Sequence, residues 1–165
     1  MKYLILLLLS SVLLFITSCS STCMEYRSAI TAARSEKDLK RAEEFGLKAL
    51  ESNECNPGSD AWAPFFLATE IYLPRKEYRK MAEMLTIAKQ RNADQTLEIP
   101  FKLGNIPIQT IGQAVEAYRE QEWVTIYNKV VDLIQKEKVE LAQELIEIAI
   151  LINPQKGQSY FTLAN

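Results

Sequence analysis

The stretches LKRAEEFGLKAL (39–50) and VELAQELIEIAI (139–150) carry alanine at the same two places, Ala42 with Ala49 and Ala142 with Ala149. Seven residues make close to two turns of α-helix, so each pair lies on one face. YRKMAEMLTIAK (78–89) repeats the spacing with Met81, Leu85 and Ala88. Small residues along one helix face let a second helix approach closely. A chain that uses this device three times is constrained to build paired helices in an array of like units. Composition agrees: 48 % of the 165 residues are hydrophobic, 24 % are charged and only 5 are glycine, the profile of one globular domain.

Several function classes are excluded at this level. A net charge of −2 offers no basic field for nucleic acid. The chain has no histidine, which removes Ser–His and Cys–His nucleophile pairs and imidazole zinc sites. There is no glycine-rich phosphate loop and no cluster of metal ligands. Glu140, Glu144 and Glu147 recur on one helix face, the pattern of a solvated surface rather than an acid–base pair. No enzyme, catalytic residue, metal or cofactor is expected.

The N-terminus reads as an address. MKYLILLLLSSVLLFITSCSS has one positive residue, Lys2, then an apolar run from Tyr3 to Ile16, then small residues. The run is shorter than the ~20 residues of a membrane-spanning helix and fits a signal-peptide core; an anchor helix is the alternative. Ile16-Thr17-Ser18-Cys19 resembles the lipobox of bacterial lipoproteins, an aliphatic residue and two small ones before cysteine. The resemblance implies a signal peptide over 1–18, cleavage before Cys19 and diacylglycerol on its sulfur. Cys23 fits less well, because Ser20 would take the aliphatic place. Acyl chains contribute ~0.8 kcal/mol per buried methylene, so two or three anchor firmly. Ser20 after the lipid cysteine implies, by the same resemblance, the outer membrane with the chain facing the periplasm.

The helix pairs resemble the tetratricopeptide repeat (TPR), a helix–turn–helix unit of about 34 residues. A unit starting at Cys23 puts Tyr26, Ala29, Ile30, Ala33, Ala42 and Ala49 on motif positions, with Gly46 as a departure. A second, from Trp62, places Phe65, Ala68, Thr69, Tyr72, Met81, Leu85 and Ala88. A third, from Trp123, places Ile126, Val130, Leu133, Ala142, Ile146, Ala149 and Pro154, with Lys129 on an apolar position. The implied fold is all-α, a TPR-like helix–turn–helix solenoid. Two units would lie within 19–95, an insert over 96–122, and the third unit with the start of a fourth over 123–165.

Local signals mark the boundaries. Ser35 with Asp38 reads as the N-cap of the first unit's second helix, and Asp60 as a cap for the next. Pro64 falls in a first helical turn, Pro74 between two helices, and Pro154 with Gly157 in the last turn. In the insert, LEIPFKLGNIPI has two prolines and a Gly-Asn pair between β-prone runs, which reads as an extended loop or small hairpin. Thr110 to Gln113 forms a capping box, and Ile111, Val115 and Tyr118 then stay in phase with Ile126 and Val130. The insert is a spacer or an arm that covers the groove or contacts a partner.

In the TPR family the first helices line a concave groove. The corresponding residues are Met24, Arg27, Thr31 and Arg34, then Ala63, Phe66, Glu70 and Leu73, then Val124, Tyr127, Val131 and Ile134. The binding set is taken as Arg27, Thr31, Arg34, Phe66, Glu70, Leu73, Tyr127 and Val131; the third unit's members would alternatively pack on the insert. Thr31 and Leu67 stand where the carboxylate-clamp subclass has its polar pair, so capture of a C-terminal carboxylate is not expected. In the same register Cys23 opens the first helix and Cys55 follows the second, at one end of an antiparallel hairpin. An oxidising compartment would then give a Cys23–Cys55 disulfide; two buried thiols are the alternative.

The function these features imply is a lipid-anchored adapter that binds an envelope protein or peptide, held to the membrane by its N-terminal lipid. The alternative is a structural, self-associating spacer. The closing SYFTLAN fits the start of a fourth unit, with Tyr160, Leu163 and Ala164 as the face packed on the third. A helix that short is marginal alone, so the expectation is that the natural chain continues beyond Asn165; the rival is that it ends there.

Overall fold

A computed structural model describes residues 23–56 and 58–164. The described chain is mostly helical with one small two-stranded sheet. The signal segment and Cys19 lie outside these residues.

Helix α1 (Met24–Ile30) continues into a π-helical turn (Thr31–Ser35), and α2 (Leu39–Glu51) returns antiparallel to it. Helix α3 (Trp62–Phe66) likewise widens into a π-helical turn (Leu67–Tyr72) before α4 (Tyr78–Asn92). Strands β1 (Thr96–Leu103) and β2 (Ile106–Thr110) form an antiparallel hairpin. The long α5 (Ile111–Gln135), α6 (Val139–Ile152) and α7 (Gly157–Ala164) complete the order. No helix among the described residues is long and apolar enough to cross a membrane.

The three helical hairpins turn in the same way. Lys37, Lys76 and Glu137 all adopt positive φ, at 56°, 59° and 55°, each two residues before the second helix begins. At the second and third turns the next N–H reaches back to the helix, Glu77 to Tyr72 O at 3.0 Å and Lys138 to Leu133 O at 2.9 Å. This is the Schellman closure, which satisfies carbonyls that the helix end leaves open. A cysteine or a tryptophan also ties down the open end of each hairpin. Cys23 is bonded to Cys55, Trp62 Nε1 donates to Thr96 O at 3.1 Å, and Trp123 Nε1 donates to Ser159 Oγ at 2.8 Å.

The alanine faces form the core. Ala42, Ala49, Met81, Leu85, Ala88, Ala142, Ile146 and Ala149 are all buried. Both departures from the motif have a physical reason. Gly46 is buried, and a Cβ there would stand 2.6 Å from Leu67 Cδ2, so glycine makes room for the neighbouring unit. Lys129 is exposed, and the adjacent Val130 takes the buried place.

The insert is a hairpin followed by a helix. Gly104, at φ 59°, opens a two-residue turn whose leading glycine suits type II′. The capping box at Thr110 and Gln113 is present, and the helix it starts runs through position 122 without a break. The helix that closes the insert, α5, thus runs on into the third hairpin, in keeping with the unbroken phase of Ile111, Val115, Tyr118, Ile126 and Val130. Its first half packs on α4 through Lys89–Glu116 at 2.7 Å and Arg119 Nη2 to Thr86 Oγ1 at 2.7 Å.

Two smaller expectations need correction. Asp38 alone caps α2, accepting from Arg41 N at 3.0 Å; Ser35 is still inside the preceding π-helical turn. The face of α7 is also rotated. Ser159 is fully buried under Trp123, and Thr162 bonds the Tyr127 hydroxyl at 2.9 Å. Tyr160, Leu163 and Ala164 are exposed, because hydrogen bonds to α5 and not apolar burial set the docking face.

Candidate aromatic cleft

The first helices of the first two hairpins share two cavities with β1. A cavity of about 720 Å³ opens beside Cys23, between α1, residues 54–56 and 59–62, and the start of β1. A narrower one of about 160 Å³ continues between α3, β1 and α5. Both are lined by Tyr26, Trp62 and Glu98, so they form one cleft.

Its floor is aromatic. Tyr26 stacks on Trp62 with ring centroids 6.1 Å apart and meets Phe66 edge-on at 5.9 Å. Tyr118 meets Phe65 at 5.9 Å and Phe101 at 6.1 Å, tying α5 to α3 and β1. These contacts form because Tyr26 and Phe65 hold corresponding places in adjacent first helices, Trp62 stands one turn before Phe65, and Tyr118 comes in on α5 before Trp123. Asp60 fixes Trp62 by accepting its N–H at 3.1 Å, and Gln95 Nε2 holds Asp60 in turn at 2.7 Å.

The rim is charged. Arg34 and Glu70 pair at 2.8 Å across the two hairpins. Arg27 and Glu98 line the cleft without an ion pair among the described residues. Burial above all, with the charge of Glu98, pushes the Tyr26 hydroxyl well above the usual phenol range, so it stays a donor. Burial also raises the Tyr118 hydroxyl above its ordinary value.

Strand β1 overlies this cleft irregularly. Thr96 pairs with Thr110 and Phe101 with Ile108, so Leu97 to Pro100 stand opposite Gln109 alone. Leu97 points into the core at 7 % exposure, while Ile99 is 69 % exposed. A bulge next to a proline bends a strand and frees its backbone from the ladder.

The groove set expected from sequence is brought together only in part. Arg27, Arg34, Phe66 and Glu70 line the cleft. Phe66 is 3 % exposed, so it is floor and not a contact residue. Thr31, Leu73, Tyr127 and Val131 line neither cavity. Tyr127 is engaged within the fold, stacked on Trp123 at 4.9 Å and bonded to Thr162. A single groove through all three units is interrupted because the β-hairpin enters between the second and third. Sequence reading missed Tyr26, Trp62, Glu98 and Tyr118 as cleft residues. The available signal was the aromatic-rich first helices beside LEIPF, a strand broken by proline.

The two cysteines form a disulfide, with Cα atoms 4.6 Å apart. They and Glu25 are also the one grouping of metal-ligating types among the described residues. Bonded to each other, neither sulfur is a thiolate, so the group is not a metal site. Glu140, Glu144 and Glu147 are exposed on α6.

Compared with known proteins, the chain matches no protein family, no curated protein and no solved structure.

Proposed function

We propose that the chain is a lipid-anchored adapter of the bacterial cell envelope, built on TPR-like hairpins and binding a protein partner in the aromatic cleft. The observation that carries this reading is the cleft itself. It is preformed, aromatic-floored and edged by strand backbone without ladder partners. Such features recur where extended segments dock. The hairpin that interrupts the array supplies one wall, so the insert acts as the arm over the groove. The lipobox-like Ile16–Cys19 lies only a few residues before Cys23, which would put the cleft close to the membrane surface.

Two measurements test this. Mass spectrometry should find a diacylglycerol on Cys19, and a Cys19→Ser chain should remain unacylated; an acylated variant ends the lipobox reading. Co-purification from membranes of the anchored chain should recover a heterologous partner that is lost when Trp62→Ala disrupts the cleft.

A second reading, a self-associating spacer, draws on the apolar surface of the third hairpin. Val131, Ile134 and Val139 are each 38–60 % exposed there, beside Leu163 of α7 at 40 %. Recovery of the chain alone, as a dimer or larger, would favour it.

A further inference from the structure

The geometry points to the cleft as a receptor for a cationic side chain, arginine or lysine, carried on an extended segment of the protein partner. A cationic ligand presupposes that the cleft is the docking site proposed above, and adds its chemistry.

Three independent features converge. The first is the aromatic floor. Tyr26 and Trp62 present stacked rings to both cavities, and an aromatic face attracts a cation by ~0.5–2 kcal/mol depending on desolvation. The second is charge. The cleft is lined by four carboxylates, Glu54, Asp60, Glu70 and Glu98, against two guanidiniums, Arg27 and Arg34. Arg34 is neutralised by Glu70, while Glu98 has no ion-pair partner among the described residues. The third is the Tyr26 hydroxyl. The residue lines both cavities beside Glu98, where its hydroxyl oxygen can accept from a ligand N–H. Arginine supplies five donors and a planar face that stacks on indole, so it suits all three features.

The bulged backbone of β1 explains why the segment is extended. Glu98 and Ile99 lie between ladder pairs, so their peptide groups can take a strand alongside while the basic side chain enters beside Tyr26.

The test is calorimetric titration of the detergent-solubilised full chain with an acetylated, amidated pentapeptide, valine–alanine–arginine–alanine–valine, and its norleucine and glutamate analogues. We expect the arginine peptide to bind about tenfold more tightly than norleucine and the glutamate peptide more weakly still. Glu98→Gln, an exposed change that leaves the core alone, should remove most of that preference, and Glu98→Lys should reverse it. Equal binding of arginine and norleucine, an unchanged arginine affinity in Glu98→Gln, or no binding overturns the proposal. Retention of a protein partner by the cleft with no such preference would overturn the charge assignment and leave the docking site standing.

Discussion

Gly46 on α2 and Leu67 on the second hairpin pack so closely that the glycine is a requirement of the interface: an added methyl would lie 2.6 Å from Leu67 Cδ2. Helix propensity alone favours alanine at such a site by ~1 kcal/mol. Overpacking a core costs about 1–3 kcal/mol. Gly46→Ala should therefore lower the urea midpoint despite the better helix former. In a double-mutant cycle, Gly46→Ala with Leu67→Ala should lose less than the sum of the single changes, because the second opens the space the first needs. A stabilised Gly46→Ala chain would refute the close approach.

The repeated turn yields an opposite expectation. Lys76 and Glu137 hold a left-handed backbone that costs non-glycine residues about 1 kcal/mol. Lys76→Gly and Glu137→Gly should each stabilise the chain by up to ~1 kcal/mol, less the entropy glycine adds to the unfolded state. Equilibrium unfolding decides it. A loss at both positions would show that the turns are not closed as described.

The Cys23–Cys55 disulfide ties both ends of the first hairpin, the one with glycine in its core. Closing a loop of this length contributes about 3–4 kcal/mol on the chain-entropy model. Labelling the unfolded, non-reduced chain should leave both cysteines unmodified, and Cys23→Ser with Cys55→Ser should destabilise the chain by about that amount. Two reactive thiols at these positions would contradict the bond.

Glu43 gives the fold an acid-sensitive contact. Burial alone would raise its carboxyl, but hydrogen bonds from Arg75 and Tyr72 and the charges of Arg75 and Lys80 hold it below the usual carboxylate range. A depressed pKa adds stability that is present above the unfolded value, near 4.5, and lost as pH falls through the folded one. Glu43→Gln should be less stable at neutral pH by about 1–3 kcal/mol and should show a shallower fall below pH 4.5. Parallel acid limbs in the two proteins would refute this.

Helical spacing, caps and the disulfide were readable from sequence because each is a local pattern or follows from one. Ala42 and Ala49 repeat on one face, and Thr110 with Gln113 spells its own cap. The cleft was less readable because it depends on where the insert folds back. Glu98 and Ile99 gain meaning only once β1 lies over Tyr26 and Trp62, a contact between residues more than thirty positions apart. Phe66 was placed in the groove by family register, yet the edge-on contact with Tyr26 draws it into the floor. Tyr160 was placed inward by apolar spacing, and the Trp123–Ser159 bond turns it outward.

The central claim is that a protein partner docks against β1 over the aromatic cleft. A photo-activated phenylalanine analogue at the exposed Ile99, in the anchored full-length chain within intact cells, tests it most directly. The expected result is a heterologous covalent adduct from position 99, absent when the same probe replaces the exposed Glu44 on α2, and suppressed by Glu98→Lys. Adducts only between copies of this chain, or equal yields from positions 99 and 44, would contradict it.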